Sequence, residues 1–150
     1  MGFLDLFFGK KKEKVKQKKQ TSVGIAFGEG PTFAERYAET GDITFLHFDI
    51  QERIEFNYKN RSDKISYDKA KKLCYDMIEI APEVAAKMEE TNFMGDRGIP
   101  LPRHHGYQQL AIILQKEGVF TEAIRICEKG EKEGWNNDFA KRIERLKKKL

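Results

Sequence analysis

The side chains best able to do acid–base, metal or nucleophilic chemistry in this chain are His47, His104, His105, Cys74 and Cys127. Their spacing limits each of them. His104 and His105 are adjacent, and in an extended segment neighbouring side chains point to opposite faces, so the two rarely ligate one metal together; the nearest acid in sequence is Asp96. They are expected to begin a helix beside Gly106. His47 stands among Phe45, Leu46 and Phe48 and reads as a partly buried packing residue. Cys74 and Cys127 lie 53 residues apart, with no CxxC spacing and no histidine nearby in sequence, which suggests buried, reduced thiols and neither a zinc site nor a redox pair. No Ser or Cys stands in a recognisable nucleophile motif, and Gly28-Glu29-Gly30 lacks the GxxG or GK[ST] continuation of a phosphate loop. No catalytic residue, metal or cofactor is therefore expected, and an enzyme reading rests on His104, His105 and their loop alone.

Charge distribution narrows the partners. The net charge of +4 over 150 residues conceals two basic ends: residues 1–20 and residues 141–150 each carry +5, which leaves −6 between them. A uniformly basic nucleic-acid-binding surface does not look like this. The N-terminal lysines alternate with Val and Gln and not with stacking aromatics, which further disfavours nucleic acid. A nucleic-acid-associated regulator holding phosphates with its basic termini is the alternative to the reading developed below.

Residues 1–20 form a separate apolar and polybasic segment. Phe3, Leu4, Phe7 and Phe8 precede Lys10, Lys11 and Lys12, a pairing of aromatic wedge and cations that suits the surface of an anionic membrane. A helix docked on the domain, followed by a solvated lysine linker, accounts for the same residues equally well. Leu6 replaces the Ser/Thr of a myristoylation motif, and the apolar stretch is too short and too interrupted for a signal peptide. No apolar run reaches the roughly 20 residues that span a bilayer. The expected location is cytoplasmic, peripheral to the inner face of the membrane if the segment anchors there.

The elements that must position the remaining residues are helical. Residues 21–42 read as a short extended segment and then a helix over 33–39, opened by a capping box at Thr32-Phe33-Ala34-Glu35 and ended by Gly41-Asp42. From 43 to 61, Leu46, Ile50, Ile54 and Tyr58 recur at helical spacing, while Ile54, Phe56 and Tyr58 also alternate as on a strand. The long run without Gly or Pro favours helix over a β-hairpin. Tyr67, Ala70, Leu73, Cys74, Met77 and Ile78 make one apolar face, Pro82 closes that segment, and another helix runs to Glu90. Residues 91–106 are a Gly- and Pro-rich loop. Tyr107, Leu110, Ala111 and Leu114 form one stripe, and Phe120, Ala123, Ile124 and Cys127 another, across a turn at Gly118. Phe139, Ile143, Leu146 and Leu150 line a last, basic helix that suits the end of a stacked array.

The 107–135 hairpin resembles a tetratricopeptide (TPR) repeat. Ala111 and Ala123 match the small positions, Tyr107, Leu110, Leu114 and Phe120 the large ones, and Gly118 the turn; Gly130 and Trp135 replace the usual Ala and Pro. Tyr67, Ala70, Leu73 and Cys74 echo Phe120, Ala123, Ile126 and Cys127 at an offset of 53 residues, against a TPR period of about 34. The upstream unit departs from the pattern at Asn57 and Arg61. The resemblance implies a mainly α fold, a short TPR-like array of antiparallel hairpins over 43–150 with a loop insertion at 91–106 and a C-terminal capping helix. It also implies a protein or peptide partner, held in a groove lined by His105, Gln108, Ile112, Gln115 and Lys116. Gln108 and Ile112 occupy the places diagnostic of a chaperone-tail clamp, which disfavours that ligand. So short an array needs flanking helices or a second subunit to cover its edges, which leaves a homodimer open.

Overall fold

Side-chain caps mark where four of the seven described helices begin. The computed structural model describes residues 30–91 and 100–150. Thr32 Oγ1 accepts from the Glu35 N–H at 3.1 Å and Glu35 Oε2 accepts from the Thr32 N–H at 2.7 Å, completing the expected capping box for α1, Phe33–Thr40. Asp42 accepts from the Thr44 N–H at 3.0 Å and opens α2, Ile43–Lys59. Asp63 does the same for α3, Lys64–Glu79, through the Ser66 N–H at 3.1 Å. Only Ile80 separates α3 from α4, Ala81–Thr91, whose second residue is Pro82; a proline fits a helix start, where its missing N–H has no partner to lose.

Three more helices follow: α5, His105–Lys116; α6, Phe120–Glu133; and α7, Phe139–Lys147. Gly118, at φ 78°, makes the left-handed turn between α5 and α6, and the Val119 N–H closes it on the Leu114 carbonyl at 2.9 Å. The chain is thus all-helical among the described residues, a bundle in which α2 packs on α3, α3 on α5, α5 on α6 and α6 on α7, while α1 and α4 lie against α2.

The apolar stripes meet in one core. Leu46, Ile50 and Ile54 of α2 join Leu73, Cys74 and Met77 of α3, Leu110 and Leu114 of α5, and Ile126 and Cys127 of α6. Segment 43–61 is helix because its buried residues keep helical spacing. The strand-like alternation is broken at Phe56, which is 54% exposed. The echoed residues Ala70, Leu73, Cys74 and Ala123, Ile126, Cys127 are all buried, so equal spacing corresponds to equal burial on two helices of one core. Burial pushes the Cys74 thiol up to about 12 and the Cys127 thiol up to about 11, which keeps both protonated and unreactive near neutrality.

Two details of α7 refine its expected role. Phe139, Ile143 and Leu146 are buried, but Leu150 lies beyond the helix and is 72% exposed, so the apolar stripe ends one residue earlier than its spacing suggests. Phe139 packs over Gly130 of α6: a Cβ at that position would lie 2.4 Å from Phe139 Cζ. Glycine at position 130 is thus explained by the ring that fills the space a side chain would need.

Candidate functional site

Helix α5 carries the residues expected to face a partner. Its core side, with Tyr107, Leu110, Ala111 and Leu114, is buried. On the other side His105, Gln108, Ile112 and Gln115 are half-buried and Lys116 is exposed, so all five leave the core on one helical stripe.

Neighbouring elements flank this stripe. Toward α2, Lys116 Nζ donates to the Tyr58 hydroxyl at 3.4 Å and lies 6.0 Å from the centre of its ring. Toward α7, Gln115 Oε1 accepts from Arg142 Nη1 at 3.4 Å; at the start of α5, Gln108 Oε1 accepts from Arg103 Nη1, also at 3.4 Å. A cleft of about 170 Å³ opens on the α7 side of this stripe and shares Gln108 with it, lined also by Arg103, Arg142 and Arg145 with Tyr107 and Phe139 among its walls. Sequence reasoning missed these arginines as a group. Arg142 and Arg145 read as ordinary cations of a capping helix, and Arg103 as part of a charged loop.

The loop before α5 is held by the chain that follows α6. Asn137 Oδ1 accepts from the His104 N–H at 2.8 Å, Asn137 Nδ2 donates to the His104 carbonyl at 3.0 Å, and the Asn136 N–H donates to the Pro102 carbonyl at 3.1 Å. Behind it a polar network ties α5 to α6: the Tyr107 hydroxyl donates to Glu133 at 2.8 Å, Lys129 donates to Tyr107 at 3.0 Å, and Trp135 Nε1 donates to Glu133 at 3.0 Å. Position 103, and with it one wall of the cleft, is fixed by these contacts.

The histidines divide into two roles. His104 is the N-cap of α5, as a helix-start residue should be, and its Nδ1 accepts from the Tyr107 N–H at 3.1 Å. That bond places the ring proton on Nε2. The ring is fully buried, 5.3 Å from the ring of His47 and 4.6 Å from that of Trp135. His47, expected to be partly buried, is also in the core, stacked on Trp135 at 6.1 Å. Nothing in the sequence pairs His47 with His104; the stacking of α2 beside the start of α5 does. Burial holds His47 down to about 4, helped by His105, and His104 down to about 3, helped by His47, His105 and Lys129. Both are neutral at physiological pH. Gly106 permits the close approach behind them, since a Cβ there would lie 3.0 Å from Met77 Cβ. His105 turns the other way, onto the half-buried stripe, with its Nε2 buried.

No group of three or more His, Cys, Asp or Glu that could hold a metal ion occurs among the described residues. Within those residues no helix is long and apolar enough to cross a membrane. The membrane-contact candidates Phe3, Leu4, Phe7, Phe8, Lys10, Lys11 and Lys12 lie outside the described residues.

The class that the fold defines is an all-helical bundle compatible with a helical repeat. Comparison with protein-family models, with curated proteins and with solved structures gives no match.

Proposed function

We propose that this chain is a non-enzymatic, TPR-like interaction module that holds a protein segment along α5, at His105, Gln108, Ile112, Gln115 and Lys116. The observation that carries the reading is the placement of these five residues on one half-buried to exposed stripe of a helix flanked by α2 and α7. A groove between stacked helices gives a peptide a wall on each side and side chains of mixed character to read. Two of the three histidines are buried in packing and the cysteines are raised, inert thiols, so the groups with most chemical potential serve the core. Residues 1–20 supply a tether to an anionic membrane surface in this proposal.

A pull-down with the intact chain, repeated with Ile112→Lys and with Gln108→Glu/Gln115→Glu, tests the groove. A partner captured by the wild type is expected to be lost by both variants. Undiminished capture by both, with helical content unchanged by circular dichroism, would refute the assignment to α5.

A further inference from the structure

The cleft between α5 and α7 has more fixed positive charge than its surroundings neutralise. Some cations elsewhere on the described surface are paired, Lys71 with Glu117 at 2.7 Å, Lys72 with Asp76 at 2.8 Å and Arg125 with Glu122 at 2.8 Å. Arg103, Arg142 and Arg145 have no carboxylate within 4.0 Å among the described residues. Asp138 shares the cleft but faces Lys141 at 4.0 Å. Gln108 and Gln115 touch two of the guanidiniums through neutral carbonyl oxygens at 3.4 Å, which orients them without cancelling their charge.

We infer that this cleft is a carboxylate subsite, which receives an Asp or Glu side chain from an acidic segment of a protein partner. The inference rests on the groove proposed above and names the chemistry of what lies in it. Guanidinium groups match carboxylates in paired, planar geometry, and three of them lining one cleft favour an anionic ligand. Size points the same way. At about 170 Å³ the cleft is well below the roughly 300 Å³ at which small-molecule sites begin, so it suits one acidic side chain better than a nucleotide.

Binding of fluorescein-labelled hexaglutamate to the full-length chain, followed by anisotropy at low salt, tests this. Arg142→Gln/Arg145→Gln is expected to weaken binding roughly tenfold, and Arg142→Lys/Arg145→Lys to restore part of it. Lys147→Gln/Lys148→Gln/Lys149→Gln, on the same end of the molecule but outside the cleft, should change it by no more than about twofold. If circular dichroism shows that the α7 variants are unfolded, Arg103→Gln in the preceding loop carries the test, with a loss of about threefold. The inference is overturned if the wild type does not bind the peptide, or if Lys147→Gln/Lys148→Gln/Lys149→Gln loses as much as Arg142→Gln/Arg145→Gln. It is also overturned if inorganic phosphate displaces the peptide where sodium chloride of equal ionic strength does not. Ile112 lies outside the cleft, so loss of partner capture in Ile112→Lys with unchanged hexaglutamate affinity in the arginine variants would sink the subsite and leave the groove standing.

Discussion

At His104 a titratable side chain serves as a helix cap, which couples the start of α5 to pH. Its Nδ1 can accept from the Tyr107 N–H only while unprotonated. The groups around it offer a charged imidazole little relief: His47 and His105 are also bases, Lys129 is a cation, and Glu133 is engaged by Tyr107, Lys129 and Trp135. The folded values near 3 and 4 for His104 and His47 lie below the ordinary histidine value of 6.5, so the unfolded chain takes up protons first. Their stabilising contribution is complete above that ordinary value and is lost as pH falls from it toward the folded values, at on the order of 1 kcal/mol per pH unit for each histidine. Thermal melts at stepped pH should show His104→Asn, which keeps a capping oxygen, losing less stability on acidification than the wild type. An equal loss in both would mean that His104 does not titrate against folding.

Between elements, the contact of α6 with α7 depends on an absent side chain. Gly130→Ala improves helix propensity by about 1 kcal/mol but pushes a methyl group into the Phe139 ring, and overpacking of this kind costs about 1–3 kcal/mol. A net loss near 1 kcal/mol is expected by chemical denaturation. The double variant Gly130→Ala/Phe139→Leu should then be more stable than the sum of its single changes, because the shorter side chain clears the methyl group; strict additivity would disprove that contact. Leu150→Lys, at an exposed residue beyond α7, should stay within about 0.5 kcal/mol of wild type in the same measurement. The spacing of Phe139, Ile143, Leu146 and Leu150 could not distinguish these cases, since periodicity reports a face and not where the neighbouring helix stops. The capping box at Thr32 was more legible, because its bonds span only three residues and need nothing distant; Asp42, read as the end of the preceding helix, and Asp63 were recognised as caps only in the structure.

For the molecule as a whole, the proposed tether and the proposed groove are separable. Deleting residues 1–19 is expected to abolish co-sedimentation with anionic vesicles while leaving the melting transition of the helical bundle in place. Retained co-sedimentation would rule out the N-terminal anchor. Amphipathic stripes in the sequence by themselves determined the helical class, most helix boundaries and the burial of the two cysteines, since side-chain period and local caps are properties of consecutive residues. The same stripes marked His105, Gln108, Ile112, Gln115 and Lys116 as lying off the core side of α5. Only the tertiary structure decided that His47 meets His104, that Gly130 lies under Phe139, and that Arg103, Arg142 and Arg145 share a cleft. Arg142 and Arg145 apart, the partners lie on different elements, and their meeting depends on how α2, α5, α6 and α7 stack, which no local pattern encodes.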